Sequence, residues 1–189
     1  GDRRPTFGEN MAFFFKYQVN HMFIRYFMWN FVGRQNDLQG HGDILKGNWI
    51  SGIKAIDAIR LGPQDQLPKS MTENKARNCF YFLPLILGLL GMVYHFLSDR
   101  KDFMIVMLLF LMTGLAIILY LNQTPYQPRE RDYAYAGAFY AFAIWIGLGV
   151  AAIADMLQNK INPKVAIITA ILVSSSVPYV LAKEGWDDH

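Results

Sequence analysis

FMIVMLLFLMTGLAIILYL, residues 103–121, contains no formal charge. As a helix rising about 1.5 Å per residue it matches the hydrocarbon core of a bilayer, roughly 30 Å thick. Three further runs share the property: CFYFLPLILGLLGMVYHFL (79–97, uncharged while His95 is neutral), YAYAGAFYAFAIWIGLGVAAIA (133–154) and VAIITAILVSSSVPYVLA (165–182). A soluble domain of 189 residues disperses its apolar side chains along amphipathic elements, whereas here they are bunched. The fold class expected is therefore an all-α membrane protein with four transmembrane helices over about 79–97, 103–121, 133–155 and 165–182.

Upstream of the spans, residues 1–78 form a polar, aromatic-rich region, expected to be a loop and interfacial segment distinct from the transmembrane segment 79–183. Within it, MAFFFKYQVNHMFIRYFMWNFVG (11–33) is interrupted by Lys16, Asn20, His21, Arg25 and Asn30. A Lys or Arg at mid-bilayer costs about 2.5–3.5 kcal/mol on an insertion scale, which argues against a fifth span. Met11, Phe15, Val19, Met22, Phe23, Tyr26 and Phe27 follow helical spacing, and an amphipathic helix lying in the interface is expected. GRQNDLQGHGDILKGNWISGIKAID (33–57), with its five glycines, predicts a structured loop. Asp37, His41 and Asp43 match no defined ligand set, and no metal is expected.

Between the second and third spans lies NQTPYQPRERDY, residues 122–133. Pro125 and Pro128 stiffen its path. Arg129 and Arg131 carry forked donors suited to phosphate or carboxylate. Glu130 and Asp132 supply acid–base oxygens and are the first residues to test for catalysis; Tyr133 adds aromatic surface. Mutual ion pairing that pins the start of the third span, with Asp132 favourable at a helix N-terminus, explains the same residues structurally. The third span is rich in Ala and Gly, including Gly137, Gly147 and Gly149, and belongs inside the bundle; the second, built from large side chains, faces lipid. Charge orients the chain weakly. Loops 98–102 and 158–164 carry four Lys/Arg against Arg129, Arg131 and Lys183 opposite, which leaves the motif outside.

YFMWNFVGRQND (26–37), GNWISGI (47–53), LPLILGLLG (83–91) and, above all, YLNQTPYQPRERDYAYAGAFYAFAIWIGLGV (120–150) resemble a family of large bacterial inner-membrane proteins of formerly unknown function. That family is similar to protein O-mannosyltransferases of the GT-C type. The resemblance covers nearly the whole chain. It implies an internal fragment, lacking the N-terminal membrane helices that carry the catalytic acidic motif and a C-terminal periplasmic domain. These missing parts, the lipid bilayer and a lipid-linked sugar are the partners implied. Residues 1–78 and 122–132 are implied to be periplasmic.

The function expected is transfer of a sugar, mannose by analogy, from a polyprenyl-phosphate donor to a protein acceptor, with the fragment itself inactive. The substrate-binding residues expected are Arg129 and Arg131 for the phosphate, Tyr133 and Trp49 as flanking surface, and Arg34 with Asp37 as a second polar cluster. A transporter or flippase would carry ionisable residues deep in its spans; these hold only His95 and Asp155, near their ends. A non-catalytic scaffold is the other alternative. The net charge of +3 is too small and scattered for nucleic acid, and one cysteine, Cys79, excludes an internal disulfide.

Overall fold

A computed structural model describes residues 3–40, 42–125 and 131–186. Apart from one small sheet, the regular structure of these residues is helical. The chain opens with a capping box that starts the first helix earlier than the apolar stripe predicts. The Thr6 hydroxyl accepts from the Glu9 N–H at 3.3 Å, and the Glu9 carboxylate accepts from the Thr6 N–H at 2.7 Å. Helix α1 (Phe7–Phe13) runs into a π-helical segment, Phe14–Ile24, and then α2 (Arg25–Phe31). The wider π spacing is marked by the Arg25 N–H bonding to the carbonyl of Asn20.

The stripe predicted along 11–33 divides. Met11 and Phe15 stay exposed, whereas Met22, Phe23 and Tyr26 are buried on protein. Phe23 meets Phe110 and Tyr135 edge-on at centroid distances of 6.1 and 5.5 Å, and Phe31 meets Phe142 at 4.6 Å. Such aromatic pairs add about 0.5–1.5 kcal/mol each beyond area burial. They fix the C-terminal half of the segment against the bundle.

Strand β1 (Gly33–Arg34) pairs antiparallel with β2 (Asn78–Cys79), and Trp49 bridges Arg34 on its other edge. Gly33 sits where a Cβ would strike the carbonyls of both Asn78 and Ile50, so three segments converge there. The loop between is cross-braced by amides. Asn36 donates to the Leu45 carbonyl (2.9 Å) and accepts from the Gly47 N–H (2.9 Å), while Gln35 accepts from the Asn48 side chain (2.9 Å). Helix α3 (Lys54–Leu61) is anchored by buried Asp57, whose carboxylate accepts from Ser51 N, Ser51 Oγ and Gly52 N at 2.8–3.0 Å. The short α4 (Lys69–Thr72) follows.

Three helical stretches among the described residues are long and apolar enough to cross a membrane: Arg100–Leu121, Asp132–Gln158 and Pro163–Gly185. The expected fourth is shorter. Cys79 is held in β2, Phe80 N–H bonds the Val32 carbonyl, and Tyr81 and Phe82 take left-handed backbone conformations. Helix α5 therefore begins only at Leu83 and ends at Ser98, 16 residues or roughly 24 Å. Four full-length spans are thus not what the structure shows.

The second stretch is α6 (Arg100–Thr113) plus α7 (Leu115–Leu121), capped by Asp99 and bent at Gly114, where Phe23 packs. The third is a 3₁₀ turn, Asp132–Tyr135, leading into α8 (Ala136–Gln158). The last, α9 (Pro163–Ser174) and α10 (Ser176–Gly185), breaks at Ser175; the Ser175 and Ser176 hydroxyls back-bond to Ile171 and Val173 at 2.7 Å. The third stretch is the most enclosed of the three, with 33 % of its most apolar part buried against 22 % for the last and 11 % for the second. Helices α5 and α8 run side by side in the same direction. Gly88 meets Phe142, and Gly91 meets the Trp145 backbone. Small residues permit that approach.

Candidate functional site

The beginnings of α5 and α8 and the end of α10 lie at one end of the bundle, under the small sheet. Glu184 ties the last helix there by accepting from the Cys79 N–H at 3.0 Å. Between them opens a polar cavity of about 250 Å³, lined by Trp29, Asn30, Arg34, Asn78 and Asp132, with Phe80 and Leu181 as apolar wall.

Each wall residue is positioned by its element. Arg34 is fixed in the sheet by pairing with Asn78 and Trp49; its Nε donates to the Ala76 carbonyl at 3.0 Å, and its guanidinium carbon lies 5.7 Å from the Trp29 ring centre. Asn30 is the last polar residue of α2 and donates its amide to the Tyr26 carbonyl at 2.8 Å. Asp132 opens the 3₁₀ turn into α8, where the exposed N–H groups and helix dipole favour a carboxylate. The Trp29 indole N–H is buried and lacks a hydrogen-bond partner among the described residues. The cavity thus presents a guanidinium, a carboxylate, two amides and an indole to one space. A hydroxyl-rich or phosphorylated ligand is recognised by such groups.

The structure brings together Arg34 and Asp132, which the sequence assigns to separate clusters. It separates Arg34 from Asp37, which is exposed beyond the strand and lines neither this cavity nor the second one described below. Arg131 and Tyr133 are exposed beside Asp132 but do not line the cavity. Trp49 faces the second cavity; its ring carries the Arg60 guanidinium at 3.7 Å. Arg129 and Glu130 lie outside the described residues, as does His41. No group of three or more His, Cys, Asp or Glu among the described residues is arranged to hold a metal ion.

The start of the loop after α7 is held to the N-terminal helix. Gln18 donates to the Asn122 side chain at 2.8 Å, and Tyr17 donates to the Thr124 carbonyl at 3.3 Å. Gln123 is buried, with both amide atoms unpartnered among the described residues. Cys79 is half-buried, and burial pushes its thiol up to about 11, with Arg77 opposing and Glu184 and Asp57 adding to the rise. It is an inert thiol at neutral pH.

Trp29, Asn78 and Arg60 were not among the residues that the sequence singled out, and Asn30, His21 and Arg25 stood out only as interruptions of the first apolar run, not as site residues. The available signal was in the first segment: His21 and Arg25 stand four apart, so two of the polar residues that interrupt the apolar run share one helix face. Asn78 carried none. Comparison with protein-family models, with curated proteins and with solved structures finds no match in any of the three.

Proposed function

We propose that the chain is part of a GT-C-like membrane glycosyltransferase that moves a sugar, mannose on the resemblance, from a polyprenyl-phosphate donor to a protein hydroxyl. The observation that supports this reading is the meeting of Arg34 and Asp132 in one polar cavity at the end of an apolar bundle. In an inverting transfer a carboxylate takes the acceptor proton while a cation stabilises the departing phosphate. Asp132 has the first chemistry and Arg34 the second. Arg131, Tyr133 and Trp49, with Arg129 and Glu130, remain candidates for binding the rest of the donor or acceptor.

In this reading Leu83–Ser98 serves as a short fourth span, its deficit covered by Tyr81 and Phe82 at headgroup level. The exposed Phe7, Met11 and Phe15 rest in the interface. Residues 1–78 and 122–132 face the periplasm of a bacterial inner membrane, and the parent's other helices and periplasmic domain complete the enzyme.

The test is transfer of labelled mannose from its polyprenyl-phosphate carrier to a serine- and threonine-containing peptide by the full-length protein in proteoliposomes. Asp132→Asn is expected to abolish transfer. Arg34→Gln is expected to raise the donor concentration required by one to two powers of ten, the worth of one charge-assisted bond of about 1.5–3 kcal/mol. Donor lipid crossing the bilayer without transfer would favour a flippase, and neither activity would favour a scaffold.

A further inference from the structure

Helix α3 is inside out. An amphipathic helix packed on a water-soluble domain turns its apolar stripe to the core and its charges to solvent. In α3 the acid is inside: Asp57 is buried, with its carboxylate engaged by Ser51 and Gly52. Arg60 leans back over the Trp49 ring and, with Asn48 and Trp49, lines a second cavity of about 380 Å³. At 3.6 residues per turn, Ala55 and Ile59 stand opposite Asp57 with Ile56 beside them, and all three are exposed, Ile59 to 85 %. Ile53, just before the helix, is exposed as well. Lys54 lies on the flank, where its ammonium pairs with Asp65 at 2.7 Å.

What covers this face follows from where α3 begins. A Cβ on Gly52, two residues before the helix, would meet the side chains of Cys79 and Tyr81 at 2.7 and 2.8 Å, and the Tyr81 N–H donates to the Ser51 carbonyl at 3.1 Å. The Cys79 N–H is in turn bonded to Glu184, next to the last residue of the membrane-length stretch Pro163–Gly185. The start of α3 is therefore level with the end of a helix long enough to cross a bilayer, where hydrocarbon gives way to headgroups. Exposed Tyr81 and Trp186 stand at the same level, and aromatic residues of this kind are enriched at membrane–water interfaces. An outward apolar face at that level meets acyl chains, and its exposure costs nothing there.

We propose that α3 is a membrane-surface helix that lays Ala55, Ile56 and Ile59 into the boundary between lipid headgroups and acyl chains, while Asp57 and Arg60 tie it to the protein. The proposal rests on the bundle crossing a bilayer and not on glycosyl transfer. It is tested in purified protein reconstituted in phosphatidylcholine nanodiscs, with Cys79→Ser removing the native thiol. Ile59→Cys carries a nitroxide spin label, and its collisions with oxygen, which concentrates in hydrocarbon, are compared with its collisions with a water-soluble nickel chelate. Leu108→Cys, exposed within Arg100–Leu121, is the lipid reference, and Glu73→Cys, exposed and polar, is the water reference.

The label at position 59 is expected to follow position 108, with oxygen collisions dominant, and to reverse the ratio found at position 73. Ile56→Cys is expected to give the same result and carries the test if the Ile59 variant does not fold. A label at 59 that meets the chelate as position 73 does, while 108 is shielded, overturns the proposal and leaves the membrane bundle standing. A label at 59 that neither reagent reaches marks a face covered by protein and overturns it too. Chelate collisions at 108 would overturn the membrane reading and this proposal together.

Discussion

The Cα of Gly91 packs so closely on the carbonyl of Trp145 that a Cβ at position 91 would overlap that oxygen and lie 2.5 Å from the Gly149 nitrogen. Both obstacles are backbone, which cannot rotate away. Gly91→Ala must therefore push α5 off α8, and a destabilisation of about 1–3 kcal/mol is expected from overpacking. Gly147, on the same α8, has nothing among the described residues within 4 Å of where a Cβ would lie. Gly147→Ala is expected to be neutral or stabilising by up to about 1 kcal/mol through helix propensity. Melting of the two variants in detergent checks the contrast.

Asp57 is 2 % exposed and accepts three hydrogen bonds from the turn before α3. Asp57→Ala strands the Ser51 and Gly52 donors and is expected to cost about 3 kcal/mol. Asp57→Asn keeps one acceptor oxygen and is expected to cost less. Amide exchange at Ser51 and Gly52 reads the effect locally.

The Glu9 carboxyl is held below its ordinary value of 4.5, chiefly by the Thr6 N–H, then by the Thr6 hydroxyl, with Arg3 adding to it. A depressed acid stabilises the folded cap above the unfolded pKa and loses that contribution as pH falls through the folded one. The start of α1 is expected to be fully capped at pH 6 and to fray progressively below about 4.5. Glu9→Gln is expected to remove this pH dependence. Amide exchange of residues 7–10 against pH checks it.

Cys79, pushed up to about 11, has roughly one thiolate in a thousand at pH 8. Maleimide labelling of the folded protein is expected to be slow and to become rapid in denaturing detergent. Rapid labelling in the folded state would show that Cys79 is less enclosed than its neighbours Gly52 and Glu184 imply.

The helical architecture, with three stretches long and apolar enough to cross a membrane, was legible in charge-free run length, because a bilayer demands continuous apolar helix and tolerates little else. Burial of the Gly- and Ala-rich third stretch was legible for the same kind of reason. The start of α5 was not: residues 79–82 are as apolar as a span, yet pairing of Cys79 with Gly33 takes their backbone away from the helix. Nor did the small residues say which glycine matters. A Cβ at position 91 would strike backbone, whereas one at position 147 would meet nothing within 4 Å among the described residues, a difference set by helix rotation.

Residue chemistry made Arg34, Asp132 and Trp49 candidates before any fold was known. Which of them meet depends on contacts distant in sequence. Arg34 is fixed by pairing with Asn78 and Trp49, and Asp132 by the packing of α8 on α5. Local pattern carries the period of a helix and the polarity of a loop, since each arises from neighbouring residues. The convergence of two strands, a 3₁₀ turn and the ends of α2 and α10 on one cavity arises only when those elements pack, and that was decided by the tertiary structure.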